Sequence, residues 1–239
     1  MNGWHNQLMF KDQTINWLPS DDYELWIKNY KDNTRKEYLQ NLGWDKVDSI
    51  EYKFNSHGFR THEFRSQKNI IALGCSFTVG TGLEQKQIWP SLLENYLNIP
   101  VYNLGVFGNS LDGCYRLLKH YIKELKPMMV VVCEPPSRFE IKVSDNESTD
   151  MFETIFPFHK IAKEYSNWTK DWFGNDFNSE IQREKNLAAI EVLCRSVNIP
   201  FYIFPELTAH DNARDFMHNG PISHQKAFED FIQQTNLSI

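Results

Sequence analysis

The chain has 239 residues and carries 25 Lys and Arg against 31 Asp and Glu, a net charge of −6 at pH 7. This acidic balance argues against a nucleic-acid partner, because Lys and Arg supply most of the affinity for phosphates, and against an anionic membrane surface. A mean hydropathy of −0.53 and the lack of any apolar run of about 18 residues argue against a transmembrane helix. No basic stretch followed by an apolar one stands at the start of the sequence, so we expect no secretory signal.

The cysteines favour a reducing compartment such as the cytoplasm. There are four, Cys75, Cys114, Cys133 and Cys194. None belongs to a Cys-x-x-Cys pair, the spacing typical of zinc knuckles and thioredoxin-like sites. Three of them end apolar segments, where a free cysteine packs as a small hydrophobic residue. We therefore expect reduced, buried thiols.

Residues 1–66 differ in composition from the rest of the chain. They are polar and contain Trp4, Trp17, Trp26 and Trp44. The pattern predicts one helix over residues 34–42 and one alternating, strand-like segment over residues 49–54. We interpret residues 1–66 as an N-terminal extension or small subdomain and residues 67–239 as the main domain. Whether the extension is a lid, an interface or a docking arm stays open.

From residue 67 onward, short apolar runs alternate with segments of helical periodicity. The predicted strands are residues 69–73, 101–104, 128–133 and 201–204, and the predicted helices are residues 90–97, 111–125, 180–197 and 223–233, the last with Ser223 as its N-cap. Such alternation predicts an α/β fold with a mainly parallel sheet covered by helices on both faces. Residues 137–176 form a long, aromatic insertion. Sites in such sheets lie beyond the carboxyl ends of the strands.

A turn of small residues, residues 74–82, follows the first predicted strand. Ser76 could be a nucleophile there, with its own amide helping to bind an oxyanion, or the segment could be a plain anion-binding glycine turn. It is not a P-loop, because no Gly-Lys-Ser/Thr follows. Thr78 stands where the Gly-x-Ser-x-Gly elbow of α/β-hydrolases has its second glycine.

Two other strand ends carry candidate site residues. Residues 103–110 follow the second strand and contain Gly105 and Gly108. These glycines could allow a close backbone approach, or they could be plain turn residues, which is the commoner case. Asp215 and His218 follow the last strand, three residues apart. A carboxylate at that spacing can hold one imidazole nitrogen and leave the other to face a nucleophile. The order of a hydroxyl after the first strand and an acid–base pair after the last one strengthens this otherwise weak pattern.

Taken together, Gly-x-Ser-Phe-Thr, Asn-x-Gly-x-x-Gly and Asp-x-x-His resemble the motifs of the SGNH hydrolases, also called GDSL-type esterases and lipases. The resemblance covers roughly residues 68–235, and the lead-in at residues 55–60 is similar to a segment found in a divergent, partly viral subset. It implies a flavodoxin-like α/β/α sandwich of about five parallel strands. It also implies that Ser76 is the nucleophile, that Asp215 and His218 are acid and base, that the Ser76 and Gly108 amides bind the oxyanion, and that no metal or cofactor takes part.

The sequence departs from that family's pattern at two places. Cys75 replaces an Asp before the serine. After the third strand, the family has Gly-x-Asn-Asp, whose Asn is the third oxyanion donor, whereas this chain has Glu134 and Pro135. Losing one such donor costs about 10²–10³ in rate. Either another group replaces it, or turnover is slow, or catalysis is lost. If catalysis is retained, we expect the side chain of Asn109 to replace the donor, with Arg138 as the other candidate, and we expect Glu134 to point away from Ser76. Arg138 could equally be a surface residue or the ion-pair partner of Glu140.

The aromatic insertion has two interpretations. Its rings, Trp168 and Trp172 among them, could stack on sugar rings as a weak substrate-binding cap, or they could form a small satellite core. The resemblance favours a serine esterase acting on small acyl esters, including O-acetyl groups on carbohydrate. The alternative is a non-catalytic glycan-binding or virion structural module on the same scaffold. Accordingly, the expected partners are an ester or acylated glycan and, as an option, an oligomer or a virion, with no nucleic acid and no membrane insertion.

Overall fold

The N-terminal part of the chain contributes two short helices and a two-stranded sheet. The structure is a computed structural model that describes residues 9–142, 152–155, 169, 172–173 and 175–237. The elements are β1 (Thr14–Ile15), α1 (Tyr23–Lys31), α2 (Asn33–Asn41) and β2 (Tyr52–Lys53), and β1 pairs with β2 in antiparallel fashion. Asp22 and Asp32 cap the two helices by accepting backbone N–H bonds of 2.7 and 3.0 Å.

Four parallel strands form the central sheet. They are β3 (Ile70–Leu73), β4 (Val101–Asn103), β5 (Met129–Cys133) and β8 (Phe201–Phe204), in the spatial order β4-β3-β5-β8. Ile70 lies opposite both Val101 and Met129, and Val130 lies opposite Phe201. The two central strands are fully buried, which explains their continuous apolar sequence.

Helices cover both faces of this sheet. They are α3 (Ser76–Val79), α4 (Trp89–Leu97), α5 (Leu111–Leu125), α6 (Asp176–Arg195) and α7 (Pro221–Thr235), with a 3-10 turn at Gln85–Gln87. One core joins a sheet face to α5 and α6, and a second core joins the opposite face to α4 and α7. The predicted α/β class with a mainly parallel sheet between helical layers is therefore confirmed, with four parallel strands in the described part of the chain.

A third core attaches the N-terminal elements to the main domain. Trp26, Leu39 and Trp44 of the N-terminal part pack with Leu83 and Ala213, which follow α3 and β8. These two residues lie at the carboxyl end of the sheet. The N-terminal elements consequently pack at the edge where a site is expected.

The predicted element boundaries agree with the structure at most places. The helix at residues 111–125 and the strand at residues 201–204 match, and the other boundaries in the main domain differ by a few residues. The N-cap prediction for α7 is wrong: Gly220 is the N-cap, and the buried Ser223 hydroxyl donates to Asp211 inside the first turn. Helix α1 was not predicted, nor was the antiparallel pair β6 (Phe139–Lys142) and β7 (Phe152–Ile155) in the insertion.

Helices long and apolar enough for a membrane span are absent from the described ranges.

Candidate active site

Ser76 is the first residue of the one-turn helix α3, directly beyond the carboxyl end of β3. Gly74 allows this sharp turn, because a Cβ at that position would lie 2.0 Å from Thr78 Oγ1 and 2.8 Å from the Cys133 carbonyl oxygen. Gly80 ends the helix in a left-handed conformation with φ of 78° and donates its N–H to the Ser76 carbonyl at 2.9 Å. The turn leaves Ser76 8 % exposed.

The loop between β8 and α7 brings an imidazole to this hydroxyl. His218 Nε2 lies 2.9 Å from Ser76 Oγ, and His218 Nδ1 lies 2.5 Å from Asp215 Oδ2. A carboxylate only accepts hydrogen bonds, so Nδ1 carries a proton and Nε2 is left to accept the serine proton. Ser76 and His218, which are 142 positions apart in sequence, therefore meet in the arrangement expected from the motifs.

The Asp215 carboxylate is held by its own loop as well as by His218. Its Oδ1 accepts the backbone N–H groups of Met217 and His218, both at 3.0 Å. Phe216 adopts a left-handed φ of 58°, which folds the loop back on itself and brings these N–H groups to the carboxylate. With 2 % exposure, Asp215 is shielded from water and its orientation is set by three donors.

The segment after β4 lies against the serine turn. The Asn103 side chain donates to the Thr78 carbonyl at 2.7 Å and accepts the Gly105 N–H at 3.0 Å. Gly108 has a left-handed φ of 66°, and no atom lies within 4 Å of the place a Cβ would take. Within the described residues, the amides of Ser76 and Gly108 donate no hydrogen bond to the protein, so both are available to a ligand oxygen.

The structure gives the Asn109 side chain a task different from the expected one. Its amide donates to the Gly74 carbonyl at 3.0 Å and contacts Cys114 Sγ at 3.4 Å, and the residue is buried. With both amide protons directed at protein acceptors, Asn109 tethers the Gly108 segment to the serine turn. This replaces the expectation that the amide is the third oxyanion donor.

The segment that follows β5 carries two acidic side chains, and both form ion pairs with arginines. The Glu134 carboxylate makes a two-pronged ion pair with Arg183 of α6, at 2.5 and 2.7 Å. Arg138 donates to the Asn109 carbonyl at 3.3 Å. Glu140, a possible partner of Arg138, pairs instead with Arg116 at 2.6 Å. Both carboxylates are therefore engaged by arginines, and neither is hydrogen-bonded to Ser76 among the described residues.

A cavity of about 260 Å³ opens beside the segment that follows β5, between α5, the insertion and α6. Its walls include Leu111, Pro135, Arg138 and Trp172. The Phe139 ring packs against Trp172 and Phe173, with centroids 5.5 Å apart in both cases, so these rings also form a small satellite core. Trp168 lies outside the described residues.

The thiol next to the serine is not activated. Burial raises the pKa of Cys75 above its ordinary value, and burial also raises the pKa of Cys133. Both thiols stay protonated near neutral pH, and a protonated thiol is a poor nucleophile. All four cysteines are free and buried.

A second histidine lies behind the first. His224 is fully buried and its Nδ1 accepts the Trp89 N–H at 3.1 Å. Burial, with smaller contributions from the charges of His218 and Arg60, lowers the pKa of His224 to about 3. His224 is therefore a neutral structural acceptor. Among the residues that the structure describes, no group of three or more His, Cys, Asp and Glu side chains is arranged to hold a metal ion.

Three residues near the site do not stand out in the sequence. Asn103 is only part of a motif there, and nothing in the pattern assigns a role to Arg60 or Arg214. In the structure, Arg60 donates to the carbonyls of Gly80 and Leu83 after the serine helix, and Arg214 precedes Asp215. Their position beside motif residues could have indicated that they matter to the site, but the sequence does not show which distant residues they contact.

Comparison with known proteins finds similar solved structures but no family model. No family model and no curated protein matches the chain. Many of the similar solved structures are members of the GDSL or SGNH hydrolase family. One is TesA, with 15% identity, 72% of this chain and 76% of that chain covered, and a TM-score of 0.39.

Two further similar structures are an esterase and a putative lipolytic protein. The psychrotrophic esterase EstA from Pseudoalteromonas sp. has 15% identity, covers 71% and 74% of the two chains, and has a TM-score of 0.36. A putative lipolytic protein of the G-D-S-L family from Desulfitobacterium hafniense DCB-2 has 14% identity, 72% and 75% coverage, and a TM-score of 0.37. Similarities at this level carry no argument about a reaction. A proposal about the chemistry has to rest on the geometry of Ser76, His218 and Asp215.

Proposed function

We propose that the chain is a serine hydrolase of small acyl esters, with Ser76 as nucleophile, His218 as general base and Asp215 as the group that orients His218. The observation that carries the proposal is the chain of hydrogen bonds from Ser76 Oγ to His218 Nε2 and from His218 Nδ1 to Asp215. A structural role alone would not require an almost buried hydroxyl to face an imidazole that a shielded carboxylate holds in one tautomer.

The reaction would follow two acyl-transfer steps. Ser76 Oγ attacks the ester carbonyl carbon while His218 Nε2 takes the hydroxyl proton. The tetrahedral intermediate collapses, His218 gives that proton to the leaving alkoxide, and an acyl-serine and a free alcohol result. Water then attacks the acyl-serine with His218 again as base. The acid leaves, and the proton returns to Ser76. Asp215 stabilises the imidazolium in both steps.

Two backbone amides would bind the oxyanion, those of Ser76 and Gly108. This is one donor fewer than the family pattern implies, because Glu134 is bound to Arg183 and Pro135 has no N–H. A missing donor costs about 10²–10³ in rate. We therefore expect good activity on activated short-chain esters, and slower turnover of unactivated ones such as O-acetyl groups on carbohydrate.

A steady-state assay tests the proposal. The wild type should hydrolyse p-nitrophenyl acetate, and Ser76→Ala should reduce kcat by at least about 10³-fold, since nucleophile and base act as a unit. The melting temperature should stay nearly unchanged, because the hydroxyl contributes little packing. Cys75→Ala is the matched control and should keep most of the activity. Equal rates for the wild type and Ser76→Ala would reject the proposal.

The second candidate is a non-catalytic ligand-binding module, for glycans or within a virion or other assembly. It is favoured by one observation, the Glu134–Pro135 pair at the edge where a third oxyanion donor is expected. On this alternative, the wild type would bind an acylated sugar measurably in calorimetry without releasing acetate. Ser76→Ala would bind it equally well.

A further inference from the structure

A closed ring of buried hydrogen bonds joins the N-terminal segment, residues 9–66, to the loop that carries Asp215. Arg214 donates to the Asp21 carboxylate through Nη2 at 2.7 Å and Nε at 3.1 Å. Asp21 also accepts the Tyr52 hydroxyl. That hydroxyl accepts the Gly82 N–H at 2.8 Å, and the Gly82 carbonyl accepts the Arg214 N–H at 3.0 Å.

The ring spans the two halves of the candidate active site. Gly82 lies on the loop after the serine helix, and Arg214 directly precedes Asp215, whereas Asp21 and Tyr52 belong to the N-terminal segment. A Cβ at Gly82 would lie 2.8 Å from Ala213 Cβ and 3.0 Å from the Arg214 nitrogen. Consequently the two loops touch, and only a glycine allows this approach.

The charges within the ring are compensated and shielded. The Arg214 and Asp21 side chains are 0 % and 1 % exposed, and the guanidinium also donates to the Asn16 carbonyl at 2.7 Å and lies 4.1 Å above the Trp17 ring. Burial and the Asp21 carboxylate raise the pKa of Tyr52 well above its ordinary value. The Tyr52 hydroxyl therefore keeps its proton and donates it to Asp21.

The residue after Asp215 is held by the same segment. The Phe216 ring packs against Tyr38 of α2 at 5.3 Å, and Arg35 lies 5.0 Å above it. The Tyr38 hydroxyl donates to the Asn212 carbonyl at 2.6 Å and accepts the Asn212 N–H at 3.0 Å. Phe216 has a left-handed φ of 58°. A non-glycine residue keeps such a conformation only when its surroundings impose it.

We infer that the N-terminal segment is a positioning element for the Asp215–His218 pair, acting through the ring of Asp21, Tyr52, Gly82 and Arg214 and through the contacts of Tyr38 with Asn212 and Phe216. Both neighbours of Asp215 in sequence are held from this segment. The side chain of Asp215 itself bonds, among the described residues, only within its own loop. The segment sets where the imidazole stands relative to Ser76 without touching the reacting atoms. The inference rests on the proposed hydrolase function.

Tyr52→Phe in the full chain tests the inference, because it removes one hydroxyl and leaves the ring in place. We expect kcat for p-nitrophenyl acetate to fall about 10- to 100-fold, since small misplacements of a catalytic group cost that much, with KM changed less than threefold. Leu39→Ala is the control. Leu39 is fully buried in the N-terminal core and its side chain makes no hydrogen bond. This variant should lower the melting temperature at least as much as Tyr52→Phe, yet keep kcat within twofold at a temperature where both are folded.

A second measurement separates failure of this inference from failure of the proposed function. In protein with ¹⁵N-labelled histidine, the His218 ring resonances should shift in Tyr52→Phe and stay in place in Leu39→Ala, whether or not the protein hydrolyses esters. If Ser76→Ala is inactive but Tyr52→Phe keeps full kcat and unshifted His218 resonances, the inference is wrong and the hydrolase proposal stands. Equal losses of kcat in Tyr52→Phe and Leu39→Ala would also overturn it, because the segment would then contribute only stability.

Discussion

One side of the candidate active site contains all the expected groups, joined by hydrogen bonds, whereas the other lacks one expected hydrogen-bond donor. On the base side, Ser76, His218 and Asp215 are joined by bonds of 2.9 and 2.5 Å. On the oxyanion side, beyond β5, the carboxylate of Glu134 is bound to Arg183 and Pro135 offers no N–H. The comparison teaches that activating a nucleophile and binding an oxyanion are separate structural tasks. On the proposed function, this chain has all the groups for the first task and one donor fewer than expected for the second.

Asp215→Asn tests the base side, and we expect it to have a larger effect than any substitution on the oxyanion side. The oxygen of the new amide would accept the backbone N–H groups of Met217 and His218, so its NH₂ group would face Nδ1 and donate to it. The imidazole would then carry its proton on Nε2, which no longer accepts the serine proton, and kcat should fall about 10³- to 10⁴-fold. Asp211→Asn is the matched control. The Asp211 carboxylate also accepts backbone N–H groups, those of Ile222 and Ser223 at 2.9 Å, but it does not contact His218. If both variants lose the same activity, the carboxylate of Asp215 is merely structural.

Asn109→Ala sharpens the oxyanion side. Because the amide holds the Gly74 carbonyl, its removal should cost about 1–3 kcal/mol of unfolding free energy and lower kcat about tenfold through the loosened Gly108 segment. Urea unfolding and steady-state kinetics measure the two effects. A fall of about 10²-fold in kcat with unchanged stability would contradict the structure and return Asn109 to the role of oxyanion donor.

His224→Asn probes the packing behind the base. Since the pKa of His224 is about 3 in the folded protein and 6.5 ordinarily, the unfolded chain binds one more proton between these values. The free energy of unfolding should therefore fall on acidification from pH 6.5 to 3, by up to about 1.4 kcal/mol per pH unit. Asparagine keeps an acceptor for the Trp89 N–H but does not titrate, so the variant should show a shallower slope.

The control for this slope is His62→Asn, at a side chain that is 67% exposed. Denaturant unfolding at several pH values gives the measurement. A slope in His224→Asn as steep as that of the wild type would mean that other groups cause the acid sensitivity.

Glu134→Gln should have the smallest effect. The Glu134–Arg183 pair is partly exposed, with 22% and 51% of the side chains accessible, and such pairs contribute roughly 0–1 kcal/mol. We expect kcat to change less than threefold because the carboxylate is directed at Arg183. A tenfold rise in kcat would show that the charge of Glu134 opposes the oxyanion. The Glu134–Arg183 pair would then take part in the oxyanion side of the candidate active site.

The sequence predicted the parts of the molecule that local patterns encode. Continuous apolar strands such as β5, and the helical periodicity of α5, were found because each is a property of neighbouring residues. The places of Ser76, Asp215 and His218 followed from the strand order. The partner of Arg214 could not be predicted, because Asp21 lies 193 positions away in sequence and nothing in the sequence distinguishes it from several other carboxylates. The hydrogen bonds of the Asn109 side chain could not be predicted either, because its two acceptors, the Gly74 carbonyl and Cys114 Sγ, approach it only in the folded protein.

Covalent labelling tests the central claim most directly. A fluorophosphonate probe reacts with a serine only where a base and an oxyanion site activate it, so the wild type should gain one adduct, located by mass spectrometry on the peptide that contains Ser76. Ser76→Ala should gain none, and Asp215→Asn should react much more slowly. An adduct on another residue, or an unlabelled wild type that still releases acetate from esters, would contradict the assignment of Ser76 as the nucleophile and of His218 and Asp215 as the groups that activate it.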